Sequence, residues 1–311
     1  MVRSAAGQGR GSGTEPGSDG NAQTPPSWVT AAPLLFVLLW STGFLGAKFG
    51  LPYAEPATFL LLRFMLVTLL LVVVAVIVRA PWPRTWREVR HAAVVGVLIH
   101  GIYLGGIFAA IAQGVPAGLA ALIAGLQPLL TAILAGPLLG EAVTARQWGG
   151  LTIGLLGVAL VVWQQLGFAV ADVAGIAFCL AAVLGITFGT LYQKRHGAAM
   201  DLRTGAATQF TAAGLFMLVP ALLFETMTVR WSGEFLFALL WLVLVLSIGA
   251  ISLLYVLIRH GAAAKVASLF YLVPPVTALF AFFLFGETLG ALALLGMALA
   301  VAGVALVTRG G

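Results

Sequence analysis

Charge is what this chain has least of. Asp, Glu, Lys and Arg make up only 8% of its 311 residues, where a soluble domain carries roughly 25%. So few charges cannot cover a water-facing surface, and a water-soluble globule is excluded. Cysteine is nearly absent too. The single Cys179 cannot form an intramolecular disulfide or a cysteine-rich metal site. No G-x-x-x-x-G-K-[ST] phosphate loop occurs, which argues against a nucleotide-driven pump. The strict alternation of a barrel strand is missing as well.

What is present is apolar. Such residues make up 61% of the chain and mean hydropathy is +1.08. Long runs recur, and in hydrocarbon they become helices, because a helix satisfies its own backbone hydrogen bonds. The predicted spans are 33–50, 56–78, 92–111, 116–139 and 147–163, then 173–192, 204–224, 235–258, 262–285 and 289–308. The fold class expected is an all-α integral membrane protein of ten transmembrane helices. Residues 1–28 are rich in Gly, Ser, Pro, Asn and Gln and read as a disordered cytoplasmic tail. They contain no apolar h-region, so a cleavable signal is not expected there.

The net charge of +6 is explained by where it lies. With the N-terminus placed in the cytoplasm, the cytoplasmic segments hold Arg3, Arg10, Arg79, Arg84, Arg87, Arg90, Arg146, Lys194, Arg195, Arg203, Arg259, Lys265 and Arg309. Arg230 and Lys48 fall toward the opposite side, and Arg63 falls within the second span. This asymmetry follows the positive-inside rule and points to a cell inner membrane with both termini cytoplasmic. Nucleic acid is therefore not an expected partner; membrane lipid and a small-molecule substrate are. Trp28, Trp82, Trp86, Trp148, Trp163 and Trp231 stand near span ends, as interfacial anchors do.

A repeat appears at an offset of 146 residues. GVALV occurs at 157–161 and again at 303–307, and the stretches 128–161 and 274–307 share 14 of 34 positions. The offset needs no gap and also aligns Lys48 with Lys194, Gly43 with Gly189 and Phe64 with Phe210. The repeats are placed at 33–163 and 173–308. Five spans per repeat is an odd number, so the second copy enters the membrane inverted, a plan of secondary transporters.

Trp40–Lys48 reads W-S-x-G-F-x-x-x-K, and Pro56–Phe64 reads P-x-x-F-x-x-x-R-F. Leu126–Glu141 reads L-x-P-L-x-T-A…L-G-E, and Leu272–Glu287 repeats that ending with Pro275 and Phe285 in place of Leu129 and Leu139. On these motifs the chain resembles the EamA-type proteins of the drug/metabolite transporter superfamily, over about residues 33–308. The resemblance implies a ten-helix secondary transporter, usually an exporter of amino acids, drugs or other metabolites. It also implies a central cavity lined by helices 1–4 and 6–9. The second repeat departs from the pattern at its opening, where Ile186 replaces the tryptophan and Gln209 the arginine.

Polar residues inside a membrane are expensive and mark candidate sites. Arg63 is an anion clamp, or else a snorkelling or backbone-bound structural residue. His100, with Tyr103 one turn on, binds substrate or carries a proton, or is a neutral histidine bonded across helices. Trp40, beside Ser41, stacks on substrate or merely packs. Gln127 precedes Pro128, and Tyr271 precedes Pro274 and Pro275; these prolines are candidate hinges or static bends. Thr187, Gln209 and Ser268 are weaker candidates, since serine and threonine often bond their own helix. Glu141 and Glu287 are expected to meet helix N-termini. No carboxylate falls at the centre of a span, which argues mildly for facilitated diffusion or exchange over strict proton coupling. No catalytic cluster or metal spacing appears, and no enzyme activity, cofactor or metal is expected. A passive channel, or less readily a membrane enzyme, is the alternative. A pseudo-symmetric monomer suffices.

Overall fold

The computed structural model describes residues 27–115, 120, 123–163, 173–197, 200–285 and 289–309. The tail expected at 1–28 lies outside this set up to residue 26, and so does Glu287. The described residues are helical apart from short connections, and the only β-pairing among them is one antiparallel bridge, Ala54 to Val229. The elements are α1 (Ser27–Gly50), α2 (Pro56–Ile77), α3 (Trp86–Ala112), α4 (Gln127–Leu139), α5 (Ala145–Val162), α6 (Val173–His196), α7 (Leu202–Phe224), α8 (Gly233–His260), α9 (263–285) and α10 (Ala291–Arg309). Eight helices among the described residues are long and apolar enough to cross a membrane; α4 and Ala31–Gly43 within α1 are apolar but shorter. This is a multi-pass membrane protein.

Local chemistry sets the helix starts. Thr85 and Thr144 open α3 and α5 with capping boxes closed by Glu88 and Gln147. Asp201 caps α7 by accepting from the backbone N–H of Arg203 at 2.9 Å, and Arg203 also binds it through Nε. That bonding holds the Asp201 carboxyl below the usual carboxylate range. Thr144 thus takes the capping role expected of Glu141, which turns elsewhere.

The candidate hinge prolines Pro128, Pro274 and Pro275 lie in first turns, whereas Pro33, Pro137 and Pro220 lie inside helices. Pro128 lies in the first turn of α4, just after a tight turn in which Leu126 N–H bonds Ile123 O at 3.0 Å. Pro274 and Pro275 open the helical piece Val273–Phe285, which follows a 3-10 turn at Leu269–Leu272 inside α9. Each candidate hinge proline begins a new helical piece, where a missing N–H costs nothing.

The repeat has structural counterparts. Among the described residues two π-helical segments occur, Gly96–Leu104 in α3 and Leu242–Ala250 in α8, separated by the same 146 residues. Phe64 and Phe210, equivalent in sequence, pack on each other at 5.8 Å between ring centroids. Thr58 at the start of α2 bonds Glu225 at the end of α7, while Thr204 at the start of α7 bonds Pro81 beyond the end of α2. The equivalent helices α2 and α7 are therefore antiparallel. The pair α5 and α10 behaves likewise. A Cβ on Gly150 would lie 2.7 Å from Gly303 O, and one on Gly157 would lie 2.4 Å from Ala300 N and 2.7 Å from Gly296 O. Only glycine permits this backbone-to-backbone approach.

The two ends of the bundle are tied. At one end Glu225 accepts from Ala57 N–H, Thr58 N–H and the Thr58 hydroxyl, each at 2.7 Å, and Glu55 accepts from Thr226 N–H and its hydroxyl, each at 2.7 Å. At the other end Lys194 pairs with Glu141, which also accepts from Ala263 N–H at 2.8 Å. Lys194 further donates to Gly261 O, and Arg259 to Gly197 O and Met200 O. Glu141 therefore meets a helix N-terminus, as a carboxylate should, but that of α9 rather than of the helix it precedes.

Candidate functional site

Among the described residues two cavities are lined by sequence candidates, one toward each end of the bundle; a third and more open one, about 1680 Å³ with open solvent included, lies against Glu55, Phe178, Phe216 and Glu225. The larger of the two lined by candidates encloses about 510 Å³, open solvent included, and is lined by Trp40, Arg63 and Tyr103, with Phe108 and aliphatic residues of α1, α3 and α8 completing the wall. It reaches Ala47 and Ile111, toward the Glu225 end. The smaller, about 250 Å³, holds Gln127, Thr190, Lys194 and Phe270 and lies toward the Lys194 end.

An aromatic layer stands between them. Phe36, Trp40 and Phe270 pack mutually at 5.2–5.3 Å between ring centroids. Trp40 belongs to the wall of the first cavity and Phe270 to that of the second. Tyr103 lies nearly parallel to Trp40, at 6.4 Å and 17°. Three rings from α1 and α9 thus pack between the two cavities.

Arg63 is 4% exposed and donates from Nε to Ser247 Oγ at 3.0 Å. The ion pairs among the described residues are Lys194 with Glu141 and Arg203 with Asp201, so Arg63 has no carboxylate there. A buried, unneutralised guanidinium is costly.

Beside it runs a chain of side chains across four helices. Tyr255 donates its hydroxyl proton to Gln209 Oε1, and Gln209 Nε2 donates to Gln193 Oε1 at 3.2 Å. His100 Nε2 lies 3.2 Å from the Tyr255 oxygen. Since Tyr255 has spent its one proton, His100 must donate from Nε2, which leaves Nδ1 as a bare acceptor. Nδ1 is buried without a partner among the described residues. The imidazole stacks on Phe210 at 4.1 Å.

The sequence candidates thus separate into groups. Trp40, Arg63 and Tyr103 meet in the first cavity, and Gln127 faces the second with both amide atoms unpartnered among the described residues. His100 and Gln209 join the polar chain. Ser41, Thr187 and Ser268 donate to Val37 O, Val183 O and Lys265 O at 2.7, 2.6 and 2.8 Å, and neither cavity is lined by them. Tyr271 lies against α5: a Cβ on Gly154 would fall 2.4 Å from its ring. The packing of α5 against α9 draws it away from both cavities.

Sequence reasoning missed Ser247, Tyr255, Gln193 and Phe270. The first two carried a signal. Eight residues apart on an apolar helix, they share one face, and that face turns to Arg63 and Gln209, which are themselves equivalent under the repeat. Gln193, next to Lys194 near the end of α6, looked like part of a polar helix end.

Comparison with known proteins places this geometry. The model of the EamA-like transporter family matches residues 27–163 and again 173–309. The chain is 29% identical to the uncharacterized transporter YvbV of Bacillus subtilis, over 91% of this chain and 92% of that protein. It is 27% identical to the uncharacterized inner membrane transporter YedA of Escherichia coli, over 88% of each. It is also 29% identical to a probable terminal-alkyne amino-acid exporter of Streptantibioticus cattleyicolor, over 89% of this chain and 92% of that protein. A crystal structure at 22% identity has the same fold, with a TM-score of 0.76 over 91% of this chain and 98% of that one.

Proposed function

The chain belongs to the EamA-like transporter family, and from that premise we propose that it is a secondary transporter exporting small metabolites, such as amino acids or drugs, by alternating access. Family and relatives indicate a membrane transporter rather than an enzyme. Counting α1 and the segment ending with α4 as spans makes ten, five per repeat, with the second copy inverted. The basic residues then put both termini in the cytoplasm of a cell inner membrane.

The observation that carries the mechanism is the pair of cavities separated by Phe36, Trp40 and Phe270. The larger cavity occupies the half toward the Glu225 end, while the Lys194 end is held by Lys194, Glu141 and Gly261. Antiparallel equivalent helices allow the two repeats to exchange shapes, which would open the smaller cavity and close the larger. Trp40, Arg63 and Tyr103 would hold the substrate, with Gln127 receiving it on the other side. Pro128, Pro274 and Pro275 stand where two helical pieces join, and these joints would bend. The aromatic layer favours a carrier over a channel.

Counterflow in proteoliposomes tests this reading. A carrier loaded with unlabelled substrate accumulates labelled substrate transiently and saturably. Linear, unsaturable flux without trans-stimulation would refute alternating access and favour a channel.

A further inference from the structure

We infer that the Arg63 cavity selects small organic anions, a carboxylate on an apolar or aromatic body, over zwitterions and cations. This rests on the reading of that cavity as the substrate site.

The charge of the cavity is one-sided. Among the described residues Arg63 is its only ionisable wall residue apart from the Tyr103 phenol, and the rest of the described wall is Trp40, glycine and apolar side chains. Glu55 and Glu225, at the end toward which the cavity reaches, are engaged by backbone N–H groups and hydroxyls. An ammonium group entering the cavity therefore meets a like charge and no acidic partner among the described residues. A carboxylate meets a buried cation that lacks a counterion.

The geometry of Arg63 suits that role. Ser247 takes Nε. Among the described residues this leaves the two terminal nitrogens free to form the parallel fork that binds a carboxylate through both oxygens. The repeat does not supply a second fork. Gln209 stands at the equivalent position, and its amide is already bound to Tyr255 and Gln193. One anionic group per substrate is the match. The wall is mainly apolar with one charged group, the make-up of small-molecule sites, and Trp40 and Tyr103 supply aromatic faces for the body of the ligand.

The same charge explains how export could be driven without a proton relay. A full cycle returns the protein to its starting state, so one negative charge leaves per substrate molecule whatever Arg63 does midway. An inside-negative potential pushes that charge outward. All described carboxylates lie in loops or near helix ends.

Three indoles that differ in charge test the inference on the full chain in proteoliposomes: indole-3-acetate, L-tryptophan and tryptamine. Binding and counterflow are measured for each. The expected order is indole-3-acetate, then tryptophan, then tryptamine, with the acid favoured over the amine by about tenfold or more. Arg63→Gln should abolish the preference and Arg63→Lys should keep part of it. A valinomycin-set interior-negative potential should speed exit of the acid. Tryptamine binding as well as the acid, none of the three binding, or an acid preference that survives Arg63→Gln would overturn the inference. The comparison among probes uses the unaltered protein and does not depend on a variant folding. Counterflow of tryptophan or tryptamine without the acid would leave transport standing and overturn the anion class. Arg63-dependent binding of the acid without counterflow would support the class and refute transport.

Discussion

The sharpest structural test lies at the α5–α10 contact. In Gly157→Ala the new Cβ would stand 2.4 Å from Ala300 N, 2.7 Å from Gly296 O and 3.0 Å from the Ala300 Cα. All three are backbone atoms, which cannot rotate aside, so the helices must part by about 1 Å to reach ordinary contact. Overpacking of this kind costs about 1–3 kcal/mol, and a rigid backbone on both sides places Gly157→Ala near the upper figure. The same helix supplies its control. Gly149 has nothing within 4 Å of its Cβ position, so Gly149→Ala should be neutral or stabilising by up to about 1 kcal/mol, from helix propensity alone. The single cysteine makes the assay simple, because Cys179 is fully buried. A thiol-reactive fluorophore reports its exposure as the protein unfolds on heating in detergent. Gly157→Ala should melt well below the parent, and Gly149→Ala at or above it. Equal melting of the two variants would refute the close helix contact.

Other perturbations follow from the same geometry. Tyr255→Phe strips both Gln209 and His100 of a partner in a buried chain and should cost about 1–3 kcal/mol; a parent-like melt would remove that chain as a stabilising element. Glu141→Gln should loosen the Lys194 end and speed alkylation of a cysteine placed at Thr190 in a Cys179→Ala background; an unchanged rate would show that the ion pair is not a closure. Asp201→Ala should cost about 1 kcal/mol as a lost cap. The Asp201 carboxyl is held low in the folded state by Arg203, so its contribution is complete above the ordinary carboxylate range. It is lost as pH falls through the depressed folded value. The stability gap between parent and Asp201→Ala should therefore be flat near neutrality and close in acid; a gap that widens in acid would contradict this.

Much of the fold was legible because its causes are local. Apolar runs, the Thr-x-x-Glu and Thr-x-x-Gln starts of α3 and α5, and Gly140 with φ of 71° after α4 are all written over a few residues. The repeat was legible as an offset, and so were Trp40, Arg63 and Tyr103 as polar or aromatic residues inside apolar spans. Partnership was not legible. Ser247 lies 184 residues from Arg63, and Tyr255 lies 155 from His100, and no local period announces either. Tyr271, Ser41, Thr187 and Ser268 looked as eligible as Arg63 does, because residue type and depth are visible along the chain while direction across the bundle is not.

By itself, then, the sequence determined a helical membrane protein built twice, since hydropathy and self-similarity are properties of the chain alone. Tertiary structure decided which helices face each other, and with them the aromatic layer, the polar chain and the solitary charge of the cavity. The physical reason is that a helix commits its backbone to itself, and only its neighbours choose what its side chains meet.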